Sequence, residues 1–142
     1  VIPRDNQEKL HLTLLGHSYG STTSGIAASH VSPNVVDDLV LFGSPGSGVQ
    51  LGAEYRVPEG HRWVSAVPYP GDIVQGIGTD INFGRNPTEM QAFRHISGDA
   101  TKGKTYHTIP RGPFGNHSTY LEDGTETQKN MAEIVAGLEP SS

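Results

Sequence analysis

Residues 9–26, KLHLTLLGHSYGSTTSGI, decide how the rest of the chain is read. Residues 9–15 alternate polar and apolar side chains and close on Leu14 and Leu15, the pattern of a strand entering a core. Gly16 follows at once. From residue 19 to residue 30 small side chains predominate, with Thr22, Ile26 and Ser29 one helical turn apart and Pro33 shortly beyond. Strand, tight turn and helix therefore meet at Gly16-His17-Ser18-Tyr19-Gly20. That pentapeptide fits G-x-S-x-G, a strained corner that lifts a serine above the edge of a sheet, with glycines where the flanking backbone crowds out larger side chains. In a chain with 18 glycines the pattern alone is weak, and the ordinary reading is a helix-start loop that binds nothing. Its place between a strand pattern and a helix pattern gives it weight.

Working outward, residues 38–42 (DLVLF) form a short apolar run stopped by Gly43, Ser44, Pro45 and Gly46, and predict a second buried strand. Residues 61–67 (HRWVSAV) predict a third, after which Pro68, Pro70 and Gly71 take the chain out of the sheet and leave Asp72 in the exit loop. Residues 73–104 are irregular, with one short helix expected around 88–94. Residues 104–109 (KTYHTI) have strand composition, and a Pro- and Gly-rich loop then leads to His117. Thr125 and Gln128 have capping-box spacing, and Met131, Ile134, Val135 and Leu138 make the apolar stripe of a closing helix that Gly137 helps to end. Strands separated by helices or long crossovers predict an α/β fold with a mostly parallel sheet. The 142 residues suit one domain or part of one.

Composition narrows the function. Lys plus Arg number 10 against 15 Asp plus Glu, a net charge of -5, and the cations are scattered singly, so nucleic acid is not an expected partner. Cysteine is absent, which excludes disulfides, thiolate metal sites and a cysteine nucleophile. The apolar runs are too short to span a bilayer, so no transmembrane segment and a soluble chain are expected; secretion or attachment to the cell envelope stays open. Neither a phosphate-binding loop, a dinucleotide fingerprint nor an H-E-x-x-H pair occurs, so neither a cofactor nor a metal is expected.

A serine hydroxyl needs a base to become a nucleophile near neutral pH. With this type of elbow the partners follow in the order Ser, then Asp or Glu, then His. Of the seven histidines, His11 and His107 fall in strand runs, His17 in the elbow's variable position, His30 at a helix end, His61 at a strand start and His95 in the irregular stretch. His117 alone is placed in a loop after the last expected strand and before the closing helix, where an imidazole can swing over the sheet edge. Asp72 leaves the third strand at the end where catalytic groups collect, ahead of its rivals Asp80 and Asp99, while Asp37 and Asp38 precede a strand and lie at the wrong end. Asn116 and Ser118 also make an N-x-S sequon, read as coincidence.

Gly-His-Ser-Tyr-Gly-Ser at 16–21, Leu-Phe-Gly-Ser-Pro-Gly at 41–46, Pro-Gly-Asp at 70–72 and His-Ser-Thr-Tyr at 117–120 resemble, in order, the blocks of an uncharacterised actinobacterial family of α/β-hydrolases with an expected serine hydrolase site. The resemblance implies Ser18 as nucleophile, Asp72 as acid, His117 as base and the backbone N–H of Tyr19 as an oxyanion donor, acting on a small-molecule carboxylic ester. Asn116 departs from the pattern, standing where glycine is expected before the histidine. A whole α/β-hydrolase has strands and helices before its elbow, one of whose loops supplies the second oxyanion donor. Residues 1–142 are therefore expected to be a single partial domain, the C-terminal part of the fold with its front half absent from this chain, and feeble or unstable without that N-terminal segment. Two other readings compete: a serine peptidase or amidase with the same triad, and a non-catalytic α/β-hydrolase-like binding module whose triad is misaligned.

Overall fold

The computed structural model describes residues 10–67, 71–98 and 112–142. Strand β1 (Thr13–His17) runs into helix α1 (Tyr19–His30), and β2 (Asp38–Phe42) and β3 (Arg62–Ser65) follow. The chain then passes through helix α2 (Asp80–Phe83), strand β4 (Arg94–Ile96), helix α3 (Gly112–His117) and helix α4 (Glu126–Val135). The four described strands make one parallel sheet in the order β1-β2-β3-β4. Every residue of β2 and β3 is buried, as expected of strands covered on both faces.

Side-chain alternation splits the core in two. Leu39, Leu41 and Val64 face one cluster with Ala28 of α1, while Val40, Phe42 and Trp63 face another with Met131 and Ile134 of α4 and with Tyr120. The result is a sheet between helices. Because the four described strands run the same way, their C-terminal ends gather at one edge, where Ser18 and Asp72 also lie.

Helix α1 packs through its smallest side chains. Ser21, Thr22, Gly25 and Ala28 are buried, whereas the larger Ile26 is 45% exposed. Close approach is the cause: a Cβ on Gly25 would lie 1.8 Å from the Ser47 carbonyl oxygen, and one on Gly16 would lie 2.7 Å from the Ser21 Cα. The second motif glycine differs from expectation, since a Cβ on Gly20 meets nothing within 4 Å.

Other departures cluster late in the chain. The strand beside β3 is β4, in a stretch where a helix was expected around 88–94; that stretch holds a 3-10 turn at Pro87–Glu89, and only three residues, with no alternation to announce them, then pair with Trp63, Val64 and Ser65. The strand expected at 104–109 lies outside the described residues, as do His107 and Asp99. Helix α4 starts on its expected cap, with Thr125 Oγ1 accepting from the Gln128 N–H at 3.3 Å, but the Gln128 side chain accepts from the N–H of Gly124 rather than closing a capping box. Met131 and Ile134 are buried, yet Val135 and Leu138 are exposed because the helix ends at Val135 and turns away through Gly137 at φ 76.

One substitution at two places on α1 should act with opposite sign. Gly25→Ala is expected to destabilise the protein by about 1–3 kcal/mol through overpacking, whereas Gly20→Ala should stabilise it by about 0.4–1 kcal/mol by restricting the unfolded chain. Urea denaturation midpoints of the two variants against the parent check this.

Candidate active site

The corner between β1 and α1 holds Ser18 at φ 56, ψ -131, a left-handed backbone that non-glycine residues rarely adopt. Gly16 leaves room for α1 to fold back on β1, and the Ser18 N–H donates to the Phe42 carbonyl at 3.1 Å, tying the corner to the end of β2. The Ser18 carbonyl accepts from the Ser21 N–H at 3.0 Å. These contacts hold the serine side chain up at the sheet edge.

Asp72 follows β3 and caps the 3-10 turn Ile73–Gly76, its Oδ1 accepting from the Val74 N–H at 2.9 Å. Its carboxylate is fully buried. His117 ends α3, rather than lying in the expected loop, so its ring is carried on a short helix. The His117 Nδ1 lies 3.0 Å from each carboxylate oxygen of Asp72, and its Nε2 lies 2.8 Å from Ser18 Oγ. Ser18, His117 and Asp72, separated by up to 99 positions, thus form one line of hydrogen bonds. With Nδ1–H donating to the carboxylate, Nε2 is left as the acceptor for the serine hydroxyl proton. Tyr19 begins α1, so its N–H is one of the donors that a helix start leaves free.

The rival residues lie elsewhere. Asp80 is exposed at the start of α2. His30 and His95 are exposed, the first bonded to the Ile26 carbonyl. His11 and His61 both contact the buried Asp38, with nitrogen-to-oxygen distances of 2.8 and 3.0 Å, at the opposite end of the sheet. A cleft of about 440 Å³ lies at that same far end, lined by Gly52, Glu59, Arg62 and Arg94 among others. Among the described residues no three His, Cys, Asp or Glu side chains gather as a metal would need, and no helix is long and apolar enough to cross a membrane.

Three residues at the site were not singled out for it by sequence. Asn116 is 97% buried and donates through Nδ2 to the Gly71 carbonyl at 2.8 Å, which ties the element carrying His117 to the turn carrying Asp72. A sugar would have no room there. Tyr120 donates its hydroxyl to Asp72 Oδ2 at 2.8 Å. His17 stacks on Phe42 at 5.0 Å between centroids, lies 4.7 Å from the His117 ring, and donates through Nε2 to the His117 carbonyl at 2.8 Å. Only Tyr120 carried a signal, as the last residue of the His-Ser-Thr-Tyr block; the others are recognisable through tertiary contact alone.

Burial holds His17 below its ordinary pKa of 6.5, and the nearby His117 adds to that against the opposing pull of its hydrogen bond to the His117 carbonyl. The unfolded chain therefore takes up this proton first. His17 contributes its full stability above about pH 6.5 and loses it as the pH falls toward the folded-state value. Urea denaturation at pH 7.5 and pH 5.5 should show a smaller loss of stability on acidification for His17→Gln, which keeps an N–H donor without titrating, than for the parent.

A family model described as an alpha/beta hydrolase matches residues 2–81, which include the elbow and Asp72. Uncharacterised proteins of Mycobacterium tuberculosis and Mycobacterium bovis are 39% identical over 94 residues, 65% of this chain and 34% of theirs. Another uncharacterised Mycobacterium tuberculosis protein is 27% identical over 141 residues, covering 89% of this chain and 21% of the relative. The chain therefore spans about a third or less of the length of these curated relatives. No solved structure matches it. A family match over more than half of the chain, joined to a parallel sheet between helices, places the protein in the α/β-hydrolase family.

Proposed function

We propose that this chain carries the nucleophile, base and acid of a serine hydrolase that cleaves carboxylic esters through an acyl-enzyme. The observation that supports this most is the unbroken line from Ser18 Oγ through the imidazole of His117 to the buried carboxylate of Asp72, with contacts of 2.8 and 3.0 Å. Ser18 Oγ attacks the ester carbonyl carbon while its proton passes to His117 Nε2. Asp72 fixes the imidazole tautomer and stabilises the imidazolium without taking the proton. The tetrahedral oxyanion draws on the Tyr19 N–H and on a second donor from a segment preceding the elbow, the arrangement the family's chain order implies. His117 then protonates the departing alkoxide. Water, deprotonated by the same imidazole, attacks the acyl carbon, and collapse of the second tetrahedral species returns the proton to Ser18 and releases the acid.

Esters are preferred to amides by analogy with other sites on this architecture. The aromatic edge made by the exposed Tyr19 and by Phe83, whose ring centroids lie 6.2 Å apart, offers an apolar flank beside the nucleophile for an acyl or alkyl group.

A fluorophosphonate probe on the intact protein tests the mechanism. Labelling should fall on Ser18, vanish in Ser18→Ala and slow markedly in His117→Ala, while Asp72→Asn should lower ester turnover by roughly 10⁴-fold. Labelling that persists unchanged in Ser18→Ala removes the mechanism. A panel of acyl esters against aminoacyl amides decides between esterase and peptidase.

A further inference from the structure

Asp72 has more donors than the Ser-His-Asp line needs. Val74 N–H reaches Oδ1, His117 Nδ1 sits between the two oxygens, and the Tyr120 hydroxyl reaches Oδ2. The imidazole has only one proton to share at that face. Without the phenol, Oδ2 would hold a buried charge on half of that one bond.

The phenol is itself fixed. Tyr120 is 99% buried, its oxygen accepts from the Val67 N–H at 2.9 Å, and its ring lies 5.8 Å from Phe42 and 5.9 Å from His17. It bridges the chain just beyond β3 to the acid, gripping residues 67 and 72 together. Gly43, at φ 54, completes the slot: a Cβ there would lie 3.0 Å from the Tyr120 ring and 3.2 Å from that of His117. Both rings are seated against one bare point of backbone.

We propose that Tyr120 is a positioning residue of the hydrolase, which acts through Asp72 by holding the carboxylate in register with His117 and by drawing off part of its charge. The role rests on the function proposed above. Burial, reinforced by the charge of Asp72, pushes the phenol's pKa well above its usual value, so Tyr120 keeps its proton and stays a donor at neutral pH. Among the described residues, the titratable groups meeting this network are His117 from α3, His17 from β1, Asp72 and Tyr120 itself.

The test is the pH profile of ester hydrolysis by the intact protein. In Tyr120→Phe the carboxylate becomes more basic, and a more basic Asp72 both binds the imidazolium more strongly and takes up its own proton sooner. Each effect moves the acid limb of kcat/KM to higher pH, by about half a unit, while kcat falls roughly 10- to 100-fold and KM stays within about twofold. Tyr55→Phe is the control: that phenol is also buried and donates to the Ser47 carbonyl at 2.7 Å, but it does not touch Asp72, so it should leave the limb in place. If Tyr120→Phe is too unstable to assay, 3-fluorotyrosine at position 120 makes a stronger donor of the same shape and should move the limb to lower pH. A limb unmoved by either change, or a loss no greater than that of Tyr55→Phe, overturns the role. Turnover that survives Ser18→Ala overturns the hydrolase and this role with it. Turnover abolished by Ser18→Ala but indifferent to Tyr120 overturns the role alone.

Discussion

The left-handed backbone of Ser18 is the constraint on which the rest of the arrangement depends. Such a conformation costs a non-glycine residue about 1–3 kcal/mol and persists only where its surroundings over-determine it. Three features do so here: the bare Gly16 that lets α1 fold back against β1, the bond from the Ser18 N–H to the Phe42 carbonyl, and the small-residue face of α1. A relaxed extended serine at the same place would continue the strand. The strain turns the hydroxyl out of the sheet and up to the edge where parallel strands end.

The surrounding sheet then decides what can meet that hydroxyl. Asp72 leaves β3 two strands away and at the same edge, while α3 brings His117 across from a distant part of the chain. Asn116 and Tyr120 flank that histidine in sequence and grip the turn of Asp72 from both sides, one through the Gly71 carbonyl and the other through Oδ2. The stretch 116–120 therefore works as a clamp: it delivers the imidazole and secures its carboxylate in one piece.

Legibility in the sequence followed the range of the interactions involved. The bounds of α1 and β2 match their residue patterns because turn formers mark their ends and the strand is apolar throughout. Ser18, Asp72 and His117 were legible as an ordered set because the elbow is a local motif and the order of its partners follows from the direction of the strands. The inner face of α1 was not legible because it is chosen by how closely two backbones approach, which favours Gly25 over the larger Ile26. Strand β4 escaped notice because three residues carry no period, and its existence depends on β3 offering an edge. His17 and Asn116 were illegible for a similar reason, since their partners are backbone carbonyls supplied by remote segments.

The other buried carboxylate shows why composition could not have located the site. Asp38 is 97% buried and receives the indole N–H of Trp63 at 2.8 Å, with His11 and His61 also against its oxygens. By residue types this is a richer acid and imidazole cluster than the one at Asp72. It lies at the start of β2 rather than beyond a strand end, and no hydroxyl joins either imidazole among the described residues. A proton relay needs an atom to activate as well as a base and an acid. The strained corner holds the Ser18 hydroxyl where β1 ends, so strand direction makes the Asp38 cluster a clasp between neighbouring strands and leaves Asp72 as the buried carboxylate on the serine's side of the sheet, the acid of the proposed relay.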